Sequence, residues 1–162
     1  MANPFFKNFG PINIKDIYNV LEIKIDNNSK KIKIFDITDL NSASGKDITF
    51  LHSNKYKSQA SITKAAACIT TKNLQHNLPN KCEKIIVENV LMSTAKVTAI
   101  LYPDSTNDHF DNSVKEISKT KFKNKVKFGK NVLIGSNVKI GKKCLIGHNT
   151  IIEKNVIIGD NC

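Results

Sequence analysis

Apolar positions in the last quarter of the chain recur every six residues: Phe122, Phe128, Ile134, Ile140, Ile146, Ile152 and Ile158. A second column, Val126, Val132, Val138, Cys144, Thr150, Val156 and Cys162, runs two residues ahead of it. Gly129, Gly135, Gly141, Gly147 and Gly159 follow the first column directly, and only Glu153 interrupts them. Two residues further on stand Asn131, Asn137, Lys143, Asn149, Asn155 and Asn161. Residues two apart on a strand share a face, so Val132 with Ile134, or Val138 with Ile140, point together into a core. Gly and Asn accept positive φ most readily, so each hexad is a short strand followed by a corner. A period of six cannot hold one face of a 3.6-residue helix, and the spacing is too short for ordinary hairpins. A chain that turns every six residues must coil. The pattern predicts a hexapeptide-repeat parallel β-helix, three hexads to a coil in its left-handed form. Val126, Cys144 and Cys162 then stack, as do Phe122, Ile140 and Ile158.

The first two-thirds has no such period. Asn13 and Asp16, with Ile14, Ile17, Tyr18 and Leu21 at helical spacing, predict a capped amphipathic helix. Strand-like runs follow at Lys31–Ile37, Asp47–Leu51, Ala66–Thr71 and Lys84–Glu88. Asn89 can cap a second helix through Leu91, Ala95, Val97 and Leu101, which Pro103 ends. Alternation of this kind predicts a small α/β domain over residues 1–103. The polar stretch 104–112 reads as a linker, and residues 113–162 as the first coils of the β-helix. A solenoid edge is normally covered by a cap or by another subunit, so the sequence reads as the N-terminal portion of something longer.

Composition narrows the function classes. Hydrophobic content of 40% supports a packed core, and no run of 18 or more apolar residues spans a membrane. The opening residues lack a secretory pattern, which points to the cytoplasm. The net charge is +11, yet all 25 basic residues are Lys. Arg is the usual bidentate reader of guanine and phosphate, so nucleic acid is disfavoured as a partner. Lys, Ile and Asn together make 67 of the 162 residues, a bias expected of A/T-rich codons. Lys119, Lys121, Lys123, Lys125 and Lys127 alternate with less polar residues, and period two would place them on one face. That face is either solvated or a docking strip for an acidic carrier protein or a phosphate. Cys68, Cys82, Cys144 and Cys162 form no C-x-x-C pair and no metal-ligand spacing, so they read as reduced thiols, and no metal or cofactor is implied.

One local motif is more specific. Residues 47–57, Asp-Ile-Thr-Phe-Leu-His-Ser-Asn-Lys-Tyr-Lys, look like the uridine-binding segment of the UDP-3-O-(3-hydroxyacyl)glucosamine N-acyltransferase family of lipid A biosynthesis. Phe9-Gly10-Pro11, the segment Lys64–Ile69 and the hexads extend the resemblance over essentially the whole chain. It implies a homotrimer that transfers a 3-hydroxyacyl group from acyl carrier protein to the 2-amino group of a UDP-3-O-acylglucosamine. It also implies that Phe50 and Tyr56 sandwich the uracil ring, and flat aromatic faces stack well on a nucleobase. The family has Asn three residues after the Phe. Here Ser53 stands there and Asn54 follows, so either could supply the polar contact. The family's catalytic base is a His further along the coil than His148, so the resemblance implies no catalytic residue in this chain. Without the resemblance, Phe50 reads as strand packing and Tyr56 as a half-exposed ring.

Other functions also fit parts of the sequence. A sugar-nucleotide N-acetyltransferase of the hexapeptide family would suit the coil, but no G-x-G precedes Gly129. A coil-borne carbonic anhydrase needs three His ligands, and the hexads hold one. A non-catalytic β-helix adaptor would bind protein and no nucleotide.

Overall fold

The computed structural model describes residues 6–24, 31–106 and 109–162. They fall into two compact units, Phe6–Asn107 and Asp108–Cys162. Residues 107 and 108, inside the expected linker, lie outside the described residues. Pro103–Thr106 form a 3₁₀ turn.

The first unit is α/β. Strand β1 (Ile12–Asn13) leads into α1 (Ile14–Val20), and Asp16 accepts the Asn13 N–H at 3.3 Å, closing the start of the helix. Ile14, Ile17 and Tyr18 are buried, as their spacing predicts. The expected strand at Lys31–Ile37 divides into β2 (Lys33–Ile34) and β3 (Asp36–Ile37). β2 pairs antiparallel with β1, whereas β3 joins a parallel sheet, so the chain changes partner at Phe35. That sheet continues through β4 (Asp47–Leu51), β5 (Ala67–Thr70) and β6 (Glu83–Ile86), in sequential order and parallel throughout. Helix α2 (Lys57–Ile62) lies between β4 and β5, and α3 (Val90–Leu101) follows β6.

Strand alternation divides the core in two. Ile48, Ala67, Ile69 and Ile85 pack with Ile14, Ile17, Val97 and Leu101. Leu51 and Cys68 turn the other way and pack with Ala60, Leu78 and Cys82. Asn89 Oδ1 accepts the Met92 N–H at 3.0 Å and caps α3, as expected. The buried stripe of α3 differs from the expected one. Val90, Val97 and Leu101 are buried, while Leu91 is 57% exposed. Counting back from Leu101 in helical steps reaches Val97, Thr94 and Val90; a Thr in the stripe hid this register, and Thr94 satisfies its hydroxyl on the Val90 carbonyl at 2.8 Å.

The second unit is a parallel coil of two-residue strands: β8 (Lys127–Phe128), β9 (Leu133–Ile134), β10 (Lys139–Ile140), β11 (Leu145–Ile146), β12 (Ile151–Ile152) and β13 (Ile157–Ile158). β8 pairs with β11, β9 with β12 and β10 with β13, each in parallel register 18 residues apart. A short β7 (Lys115–Glu116), not foreseen from sequence, adds antiparallel to β9. Val126, Val132, Ile134, Val138, Cys144, Ile146 and Ile152 fill the interior.

The corners correct one expectation. Every residue of the Asn column has φ between 56° and 65°, and Lys143 adopts it too, but no glycine has positive φ. The glycines serve a different need. A Cβ at Gly129 would lie 2.7 Å from the His148 backbone nitrogen, and one at Gly135 or Gly141 would collide with the coil above. The column is small so that successive coils can stack.

The Lys119–Lys127 alternation is also corrected. Ile117–Lys119 is a 3₁₀ turn and 121–125 is irregular, so no strand carries the five lysines on one face. Lys123, Lys125 and Lys127 still converge with Lys143 on one open groove.

Candidate functional site

In parallel sheets, ligands settle beyond the carboxyl ends of the strands, where loops leave a crevice. A cavity of about 320 Å³ lies there in this protein, at the ends of β3 and β4. Strand β4 delivers Phe50 and the segment just after it delivers His52, on the same side of the chain by strand alternation. Tyr56 ends the 3₁₀ turn Asn54–Tyr56, and Gln59 follows on α2. Leu40 and Asn41, beyond β3, close the opposite wall.

Phe50 thus lines the cavity and also packs against the core beside Ile48. Tyr56 lines it too, resting against the other core cluster. The imidazole of His52 touches both. Its centroid is 6.1 Å from that of Phe50 with planes at 28°, and 5.4 Å from that of Tyr56 at 48°. These distances are typical of offset and tilted aromatic pairs. The three rings form one continuous wall.

Ser53 and Asn54 do not line the cavity. The Ser53 hydroxyl accepts the Lys55 N–H at 3.3 Å and caps the 3₁₀ turn, and Asn54 is exposed at its start. Asp39 lies at the rim with its carboxylate occupied: it accepts from the Ser42 hydroxyl at 2.6 Å and from the Asn41 and Ser42 backbone N–H groups. The Ser42 side-chain bond, with those backbone bonds, holds the Asp39 carboxyl below its ordinary value. Gln59 Oε1 is buried without a hydrogen-bond partner. His52, Asn41 and Gln59 were not foreseen as cavity residues. The signal for His52 was available, because it follows Phe50 by two residues and strand alternation puts both on one face.

His148 takes a different role. Its Nδ1 accepts the Lys130 N–H at 2.7 Å, from one coil below, so it braces a corner of the stack. Cys68 and Cys82 are buried away from the cavity; burial pushes both thiols up, Cys82 to about 11.

Residues 31–100 match the family model of UDP-3-O-(3-hydroxymyristoyl) glucosamine N-acyltransferase, LpxD. The chain is also similar to three proteins named UDP-3-O-acylglucosamine N-acyltransferase. It is 35% identical to that of Rickettsia prowazekii (strain Madrid E) over 104 residues, 63% of this chain and 30% of the relative. It is 32% identical to that of Rickettsia akari (strain Hartford) over 111 residues, 67% of this chain and 32% of the relative. It is 40% identical to that of Rickettsia rickettsii (strain Sheila Smith) over 74 residues, 45% of this chain and 21% of the relative. The aligned region therefore spans about a third or less of the length of these relatives. The matched segment holds the four parallel strands, α2 and the whole three-ring wall. Over this portion the chain is similar to the UDP-3-O-acylglucosamine N-acyltransferase family.

Proposed function

We propose that the cavity at Phe50 and Tyr56 binds the uridine end of a UDP-3-O-acylglucosamine, as the N-terminal part of an N-acyltransferase of lipid A biosynthesis. The observation that supports this best is local: two aromatic residues six apart, singled out by their motif, line one cavity at the carboxyl end of a parallel sheet. A flat base stacked on such rings gains about 1–3 kcal/mol per ring, with the apolar walls excluding water.

In this reading residues 1–103 hold the nucleotide and residues 113–162 begin a left-handed parallel β-helix. The 18-residue register of its strands supports that form. The enzyme works in the cytoplasm as a homotrimer, moving a 3-hydroxyacyl group from acyl carrier protein to the glucosamine 2-amino group. Leu133 and Ile151, stacked on an outward face with Ile151 60% exposed, give a neighbouring subunit an apolar surface to cover. The base for the attacking amine is not among the histidines of this chain, and the engagement of His148 Nδ1 within the coil supports that.

Calorimetric titration with UDP tests the nucleotide site. Binding weakens at least about tenfold in a folded Phe50→Ala, Tyr56→Ala double variant if both rings stack on the base. Equal affinity in the two proteins would overturn the reading.

A further inference from the structure

The three-ring wall leaves a question that the stacking pair does not answer. Aromatic faces hold any base, so selection among bases needs a polar group at the ring edge. Both residues expected to supply one are poorly placed, since the Ser53 hydroxyl caps the 3₁₀ turn and Asn54 is exposed away from the cavity. The Asp39 carboxylate is engaged by Ser42 and Asn41, and Gln59 keeps its Oε1 buried. His52 is set apart from these by its place in the ring wall. Its ring contacts both Phe50 and Tyr56, it lines the cavity, and among the described residues no hydrogen bond occupies its nitrogens.

We infer that His52 is the base-reading residue of this site: its imidazole edge makes the hydrogen bond to the base while its face extends the stacking wall. The inference rests on the nucleotide reading above. The chemistry is suitable, because a neutral imidazole carries one N–H donor and one acceptor. A pyrimidine-dione edge offers carbonyl acceptors and one N–H donor, so either ring nitrogen finds a complement. Position favours it as well. Stacking fixes the plane of the base against Phe50, and a ring inclined by only 28° to that plane can reach the base edge from beside it.

The test titrates the 162-residue chain with uridine and with UDP in parallel, using His52→Phe, His52→Gln and Phe50→Ala variants. His52→Phe keeps a ring in the wall and removes the polar edge, whereas His52→Gln keeps a donor and an acceptor and removes the ring. The expected result is an affinity loss of about tenfold for both ligands in His52→Phe, with partial recovery in His52→Gln. Thermal unfolding checks that each variant is folded. Two results would overturn the assignment and leave the nucleotide reading standing. One is unchanged affinity in folded His52→Phe while Phe50→Ala weakens binding. The other is a His52→Phe effect seen with UDP and absent with uridine, which would move the contact to the diphosphate. Binding that neither His52→Phe nor Phe50→Ala alters, or no binding by the parent chain, would remove the nucleotide site and the base reader together.

Discussion

The backbone N–H of Lys130 donates to Nδ1 of His148 at 2.7 Å, across one coil of the stack. The same place in three other hexads is braced alike. Asp160 accepts from the Lys142 N–H at 2.6 Å, Asp111 from that of Lys154 at 2.7 Å, and the Ser113 hydroxyl from that of Ser136 at 2.9 Å. At these four corners the N–H just past the glycine column finds a side chain, while the carbonyls of Lys130, Ser136 and Lys142 accept the backbone N–H groups of Asn149, Asn155 and Asn161. His148→Ala leaves the Lys130 N–H without this acceptor. It is expected to lower stability to urea by about 1 kcal/mol, with His148→Asn retaining part of it. Unchanged urea midpoints in His148→Ala would show that water replaces the imidazole without loss.

Glycine substitutions separate stacking from turn geometry. Gly129→Ala forces a methyl to within 2.7 Å of backbone and is expected to cost about 1–3 kcal/mol. In the same column, Gly159→Ala meets nothing within 4 Å and is expected to change stability by less than about 0.5 kcal/mol. Similar losses at both positions in urea titrations would mean that the column answers to backbone freedom rather than to coil packing.

Lys143 is the non-Asn member of the left-handed column, with φ of 57°. An L side chain without a local amide is strained there by about 1 kcal/mol or more, and Asn is not. Lys143→Asn is therefore expected to raise the unfolding midpoint, and Asn137→Ala to lower it, with the second change also breaking the 3.3 Å amide bond to Asn155. A Lys143→Asn variant no more stable than the parent would refute the strain argument.

Thiol chemistry reports on the two cores. Cys162 is exposed, while Cys68, Cys82 and Cys144 are buried. One thiol per chain is expected to react rapidly with a disulfide reagent at neutral pH, and all four in denaturant. Cys82, with its thiol pushed up to about 11, is expected to stay slow even as pH rises past the ordinary thiol value. A second fast thiol in the native protein would contradict the burial of Cys68, Cys82 or Cys144.

Acid stability follows from Asp39. Its folded pKa lies below the ordinary 3.8, with the Ser42 side-chain hydrogen bond as the largest cause. A depressed carboxyl contributes stability that is complete above the ordinary value and disappears as pH falls through the lowered one. Asp39→Ala is thus expected to destabilise the protein at neutral pH and to converge with the parent at strongly acidic pH. A pH-independent gap between the two would assign the effect to something other than the ionised carboxylate.

The candidate cavity was partly legible in advance. Phe50 and Tyr56 could be singled out because they belong to a motif with fixed spacing, and both line the cavity. Leu40, Asn41 and Gln59 could not, because they reach it from separate elements that only the parallel pairing of β3 with β4 and the return of α2 bring together. Ser53 shows what spacing leaves out: its hydroxyl accepts a backbone N–H two residues away, and it does not line the cavity. Sequence spacing carries no account of that local bond.

The sequence by itself determined the coil, because a strict period of six admits one way of burying Val126, Val132, Val138 and Cys144 together, and an 18-residue register follows from three corners per turn. It also determined where α1 and α3 begin, since Asn13 and Asn89 act through contacts within three residues. Tertiary structure decided the rest. The buried stripe of α3, the change of partner at Phe35 and the reason for the glycine column all depend on what lies across the gap from each residue. The third ring of the wall was decided in the same way: alternation put His52 beside Phe50, but only the turn that carries Tyr56 back over it made the two rings and the imidazole into one surface.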